Sequence, residues 1–312
     1  MNPVLLTGAT GFIGQHLQQA LLAGNTRTLA VVRPASGNKN SLLTGTDRLV
    51  ADLTDDGRLT PAIKEASAVI YCAGSVRGRR LEDFRGANID GVRSIVDAMN
   101  QAGADIPLLL ISSLAASRPD VSDYANSKYL GEQELKKHAN FPWTIFRPPA
   151  VYGPGDKEML PVFKLARKGF VLPPGPVDQK LSFIHVSDLA AAVMSWLHTW
   201  KRCTEMIFTL DDGHSGGYDW HEIAETIGTG HYRRVNIPGW MLLGAGHINL
   251  AFSRLLGYAP MLTPGKAREL TQDDWLCNNK ALIEATGWSP DIDLRKGVDS
   301  LFETPGDHQN SK

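Results

Sequence analysis

Cysteine is scarce in this 312-residue chain. Its three residues, Cys72, Cys203 and Cys277, lie far apart and form no CxxC pair. That argues against a disulfide framework and against a zinc site built on thiolates. Charge of one sign is also missing, because 32 Lys and Arg nearly cancel 33 Asp and Glu. No global field is available to hold nucleic acid, which leaves only local patches, and no nucleic-acid partner is expected. Long apolar runs are absent, so no membrane span is expected. Val4, Leu5 and Leu6 pass at once into a Gly-rich turn, unlike a secretory leader, and a cytoplasmic setting is the expectation. The nine histidines show no HExxH or similar spacing, and no metal is expected.

What is present is an alternation of strand-like and helix-like segments. Runs at 4–7, 28–32 and 68–73 are apolar or β-rich and strand-like, and 108–113 reads as a fully buried strand of the kind covered on both faces of a parallel sheet. A helix is expected at 13–22. Val92, Ile95, Val96 and Met99 share one face of another, expected as a single helix over 81–102. Strands alternating with helices predict an α/β fold, a Rossmann-type doubly wound parallel sheet. Beyond Pro148 the pattern changes to Pro/Gly clusters and mixed segments: a helix near 158–167, a strand near 206–210 and a helix opened by Asp219 as N-cap. The expected organisation is a nucleotide-binding domain over 1–155, completed by later segments, a smaller C-terminal substrate lobe over 156–304, and a polar tail over 305–312.

Thr7-Gly8-Ala9-Thr10-Gly11-Phe12-Ile13-Gly14 follows a strand and opens a helix. Gly8 permits a tight turn, Gly11 lets backbone approach a pyrophosphate, and Gly14 allows close helix–strand packing. The N–H groups of the first helical turn then face phosphate. Arg33 ends the second strand, where a guanidinium suits the 2′-phosphate of NADP and a carboxylate would suit NAD. NADP is expected, with NAD the alternative.

Tyr124 and Lys128 stand four apart and so share a helix face. A phenol titrating near ~10 is a poor base at neutral pH, and a neighbouring ammonium is expected to lower it. Ser112 and Ser113 end a buried strand just upstream, where open α/β sheets place their ligands. Ser113 is the preferred substrate-orienting hydroxyl, with Ser112 second.

Together these motifs resemble the extended short-chain dehydrogenase/reductase family, also called the NAD-dependent epimerase/dehydratase family. The similarity covers nearly the whole chain. The glycine turn is similar to the family's TGxxGxxG, and Asp52-Leu53 to its adenine-contacting pair. Cys72-Ala73-Gly74 resembles the segment under the cofactor, Asn88 the helix asparagine, and Tyr124 with Lys128 the YxxxK. Residues 147–155, with Pro148, are similar to the RPxxVYGPG segment on the nicotinamide side. Residues 183–188 resemble the motif that fastens the second lobe, and 287–290 the GWxP. The resemblance implies catalysis by Ser113, Tyr124 and Lys128, with Lys128 also holding the nicotinamide ribose. It implies an oxidoreductase acting at a secondary alcohol or ketone. The alternatives are a nucleotide-sugar 4-epimerase or dehydratase with tightly bound cofactor, and a non-catalytic NADP(H)-binding protein. A homodimer is common for this fold.

Two departures reshape the substrate side. Only 11 positions separate Ser113 from Tyr124 (124 − 113), and Lys180 stands near where sugar-nucleotide enzymes carry a phosphate-gripping arginine. Arg77, Arg79 and Arg80 form a basic loop, read as solvated. The apolar stretch from Trp240 to Leu256 has three readings, namely a lid, a dimer face or lobe core, with core preferred.

Overall fold

Short aliphatic runs bounded by glycine and polar residues form strands here because helices cover both of their faces. The computed structural model describes residues 2–302 apart from 35–41, 55, 104, 177 and 229–230. The polar tail expected at 305–312 lies outside the described residues. In chain order the elements are β1 Val4–Thr7, α1 Phe12–Ala23, β2 Thr28–Val32, β3 Thr46–Val50, α2 Asp56–Lys64, β4 Ala68–Tyr71, α3 Leu81–Arg85, α4 Gly91–Ala102, β5 Leu108–Ile111, α5 Asp123–His138 and β6 Trp143–Arg147. They continue as β7 Ala150–Tyr152, α6 Leu160–Arg167, β8 Phe170–Val171, β9 Lys180–Leu181, β10 Phe183–His185, α7 Val186–Thr199, β11 Met206–Thr209 and α8 Trp220–Ile227. The last are β12 Arg233–Arg234, α9 Gly239–Leu256, α10 Pro264–Leu270, β13 Asp274–Trp275, α11 Lys280–Thr286 and α12 Leu294–Ser300.

Seven strands form one parallel sheet in the order β11-β6-β5-β4-β1-β2-β3. Side chains alternate across it. Leu6, Leu109 and Ile111 join Leu17, Val193 and Trp196 on one face, whereas Leu5, Leu108 and Leu110 join Leu59, Ile95 and Met99 on the other. The strand order reverses between β1 and β4, which opens a crevice beyond their carboxyl ends. Met206–Thr209, from the second half of the chain, is the outermost strand beside β6.

The remaining short strands pair in twos and frame a smaller lobe around Tyr152, Phe163, Phe183, Tyr218, Trp220 and Ile223. Asp219 caps α8 through a full capping box with Glu222, as its position before the apolar run predicts. Asp188, at the start of α7, accepts the backbone N–H groups of Asp291 and Ile292 and ties the C-terminal segment to the sheet.

The helix expected over 81–102 is not continuous. A π-helical turn, Gly86–Asp90, separates α3 from α4. It brings the Asn88 backbone against α5, where a Cβ on Gly131 would sit 2.0 Å from the Asn88 carbonyl oxygen. The apolar stripe from Val92 to Met99 lies wholly beyond this turn, so the sequence pattern does not register it.

Candidate active site

At the crevice the glycines act through space rather than flexibility alone. Gly8 has φ +68°, and a Cβ there would meet the Cys72 and Ala73 backbone at 2.6 Å. One on Gly14 would lie 2.1 Å from the Gly8 carbonyl, while Gly11 has only that oxygen nearby, at 3.3 Å. Thr7 Oγ1 accepts from the N–H groups of Cys72 and Ala73 at 3.2 and 3.1 Å, locking the ends of β1 and β4 together. Helix α1 starts at Phe12 with no side-chain cap on its N-terminus. Its first turn therefore presents N–H groups suited to an anion, and the cradle fits a dinucleotide pyrophosphate.

The other sequence-expected cofactor residues ring this cradle. Thr10, Phe12 and Ile13 are half-buried around the turn. Arg33 is exposed at the carboxyl end of β2. Asp52 follows β3 and accepts from the N–H and hydroxyl of Thr54, and Leu53 packs on the α4 side of the sheet. Ala73 and Gly74 follow β4. Pro148 is buried after β6, and its carbonyl accepts the Leu114 N–H at 2.8 Å. His16 Nε2 lies 2.8 Å from the Pro154 carbonyl and links α1 to the segment after β7.

Helix α5 forms the opposite wall. Ser122 caps it by accepting from Ala125 N–H. Lys128 is buried and donates to the Ile111 carbonyl at 3.1 Å, and burial pulls its pKa down. Asn88 accepts from Ser75 N–H and donates to the Ser75 carbonyl and to Ser127 Oγ. A Cβ on Gly74 would meet both Asn88 Oδ1 and Lys128 Nζ at 3.3 Å, so a glycine is what this floor accommodates.

The two strand-end serines separate cleanly. Ser112 is buried and donates to Glu132 Oε1 at 2.6 Å, inside an ion pair that Glu132 forms with Arg147. Ser113 instead lines the cavity beside Tyr124. The geometry thus makes Ser112 a partner of Glu132, while the Ser113 hydroxyl accepts from Ala115 N–H and bonds Tyr124 at the cavity edge. Glu132 was not anticipated from the sequence. Its signal was there, since it lies four residues beyond Lys128 on the same helix face.

One expectation is corrected. Tyr124 is not lowered by Lys128; burial pushes it up to about 12, opposed by a hydrogen bond with Ser113 and reinforced by the Glu269 carboxylate. Desolvation of a phenol between Phe84, in edge contact at 5.9 Å, and the cavity wall outweighs the charge effect that spacing suggested. In this state Tyr124 is a neutral phenol poised to donate.

From Ser113 and Tyr124 a single cavity of about 730 Å³ runs beneath the second lobe. Its walls are mainly apolar: Val76, Phe84, Val162, Phe163, Leu172, Ile237, Leu242, Leu250, Met261 and Leu262 among them. The short Ser113–Tyr124 connection folds as two 3-10 turns. Arg118 fastens it to the second lobe through Asp274 and lies over the Trp275 ring.

Of the cationic candidates for an anionic substrate, Arg79 lines the cavity and each of the others has an acidic partner. Lys180 contacts Asp219 at 3.2 Å and Glu222 at 3.1 Å, and is not part of the cavity wall. Arg77 pairs with Glu158, Arg79 with Asp83 and Arg80 with Glu82.

The preferred reading of residues 240–256 as lobe core is also corrected. In α9 only Gly246 and Ser253 are buried, whereas Trp240 and Leu255 are 75% and 82% exposed. Small residues, not large ones, make the close contact: a Cβ on Gly246 would sit 2.8 Å from the Thr263 backbone. His185 Nδ1 accepts from Ser187 N–H, while its Nε2 is buried without a hydrogen-bond partner among the described residues. Among the described residues no helix is long and apolar enough to cross a membrane.

Known proteins share this architecture. The NAD dependent epimerase/dehydratase family profile matches residues 4–203. The ceramide reductase of Caulobacter vibrioides is 35% identical, over 90% of this chain and 88% of that protein. The decarboxylating sterol-4-alpha-carboxylate 3-dehydrogenase of Saccharomyces cerevisiae is 24% identical, over 97% of each. The solved UDP-glucose 4-epimerase of Thermotoga maritima superposes with a TM-score of 0.70 at 17% identity, over 96% of each chain, a likeness of fold. The chain therefore belongs to the NAD dependent epimerase/dehydratase family and is an NAD(P)-dependent oxidoreductase/epimerase of the extended short-chain dehydrogenase/reductase type.

Proposed function

We propose that this enzyme is an NADP(H)-dependent oxidoreductase interconverting a ketone and a secondary alcohol on a long, apolar, lipid-like substrate. The observation that carries the reading is the continuous apolar cavity that starts at Ser113 and Tyr124 and ends beneath α9. Lys180, at the position expected to grip a nucleotide-sugar's diphosphate, is held by two carboxylates outside the cavity wall; of the cations in that wall, Arg79 lies beside Asp83, Lys266 is paired with Glu269 and Arg268 donates to the Val121 carbonyl. The relatives named for ceramide and sterol substrates support the same substrate class.

In this reading Gly8, Thr10, Gly11, Phe12, Ile13 and Gly14 hold the pyrophosphate. Arg33 pairs the 2′-phosphate, Asp52 and Leu53 border the adenine, and Ala73, Gly74 and Pro148 flank the nicotinamide half. The bound dinucleotide supplies or accepts the hydride. Ser113 donates a hydrogen bond to the substrate oxygen and orients it. Tyr124, protonated at neutral pH, gives its proton to that oxygen as negative charge develops during reduction, or recovers it in the reverse direction. Lys128, buried and fixed on the Ile111 carbonyl, presents positive charge below the ring of reacting groups and holds the ribose.

The test is NADPH consumption with detergent-dispersed long-chain ketones, the ketone form of a ceramide among them. Stoichiometric oxidation of NADPH that depends on Tyr124 is the expected result. Conversion of a UDP-sugar with no net change in nicotinamide redox state would replace this reading with the epimerase one.

A further inference from the structure

Helix α9 is out of place for a surface helix. It is 18 residues long, about 27 Å at 1.5 Å per residue, and carries Arg254 as its only Lys, Arg, Asp or Glu. Met241, Ile248, Phe252 and Leu255 form a single outward stripe at i, i+7, i+11 and i+14, flanked by Trp240 and Leu256, and all six are exposed. Exposed apolar area on this scale marks an interaction surface.

Two further observations identify what it meets. The segment 226–268 contains no Asp or Glu but has Arg233, Arg234 and Arg254, in a chain whose net charge is −1, while Lys266 and Arg268 at its end line the cavity, Lys266 paired with Glu269. The acids are therefore cleared from this one stretch. The inner side of the same helix, Leu242 and Leu250, forms the wall of the apolar cavity. Apolar surface is thus continuous from the outside of the molecule to Tyr124.

We infer that α9 and its basic surroundings dock on an anionic lipid bilayer. The outward stripe lies in the headgroup–acyl boundary parallel to the membrane plane, and Arg254 with the nearby arginines of the acid-free segment meets the anionic headgroups. A second copy of this chain is the weaker occupant, because pairing the stripe with itself brings two basic segments together without acids to offset them. Docking stands on the surface alone. That a lipid ketone then passes from the bilayer into the cavity rests on the function proposed above.

The test is flotation of the full-length protein with phosphatidylcholine vesicles and with vesicles containing 30% phosphatidylglycerol. Binding to the anionic vesicles at least tenfold above the neutral ones, weakening with salt, is the expected result. The Leu255→Glu/Leu256→Glu variant is expected to lose that binding at least tenfold, with NADPH affinity and melting temperature unchanged. Arg254→Glu is expected to reduce the preference for anionic vesicles. Equal flotation of wild type and the double variant, or no flotation with either vesicle, would overturn the proposal. So would a solution dimer that the double variant dissociates in the absence of vesicle binding. Because flotation needs no turnover, a failed ketone assay with intact flotation would count against the proposed reaction and leave the docking in place.

Discussion

Helices α5 and α9 invert the usual relation between polarity and burial. Helix α5, DYANSKYLGEQELKKH, is polar and yet buries Ser127, Lys128 and Glu132. Helix α9 is almost wholly apolar and yet leaves most of its large side chains in contact with solvent. The difference lies in partners. Each polar group on the inner face of α5 has a bonded counterpart: Lys128 has the Ile111 carbonyl, Ser127 has Asn88, and Glu132 has Arg147 and Ser112. Burial then costs little and fixes that face of the helix in one geometry. Helix α9 touches its neighbour α10 through Gly246, where the backbones approach, and its large residues are left for something outside the chain.

The sharpest way to break the comparison is at the reacting phenol of α5. Tyr124→Phe is expected to lower turnover about a thousandfold while leaving NADPH affinity intact, as measured by steady-state kinetics and cofactor fluorescence. Next comes the polar burial itself. Glu132→Gln leaves Arg147 without its counter-charge and is expected to cost about 3 kcal/mol in denaturant unfolding. Replacing both partners by Met should recover much of that loss, since a buried pair contributes little net stability over apolar packing.

A smaller effect concerns His185, whose ring is held neutral because burial lowers its pKa to about 4. The unfolded imidazole titrates near ~6.5, so between these values the unfolded chain binds more protons. Stability is fully present above that range and falls as pH drops through it. The melting temperature should therefore decline by several degrees between pH 6.5 and 4.5, a slope that His185→Gln flattens. Arg33→Ser is expected to reduce the preference for NADPH over NADH about tenfold, read from the ratio of kcat/KM values. The smallest effect belongs to α9, where Leu255→Glu should change unfolding free energy by less than about 0.5 kcal/mol. A large destabilisation there would mean that α9 is core after all and would end the comparison.

Much of the cofactor half was legible because its constraints are local. Gly8, Gly11 and Gly14 are spaced by what a strand–turn–helix needs, and the later lobe announced Asp219 as a helix cap. The inner sheet strands read as buried because parallel strands covered on both faces leave no polar alternation. The π-turn at Asn88 was not legible, since the apolar stripe from Val92 to Met99 lies wholly beyond it. The preference for Ser113 over Ser112 rested on resemblance, and spacing alone did not supply its physical reason. Adjacent residues at a strand end point to opposite sides, and only the position of Glu132 shows which side is occupied.

The sequence by itself determined the parallel α/β sheet, the dinucleotide turn and the pairing of Tyr124 with Lys128 on one helix face, because each follows from spacing along a few residues. Tertiary structure alone decided the upward shift of Tyr124, the commitment of Lys180 to Asp219 and Glu222, and the exposure of α9. Those depend on desolvation and on partners far away in the chain, and neither is written in the spacing of neighbours.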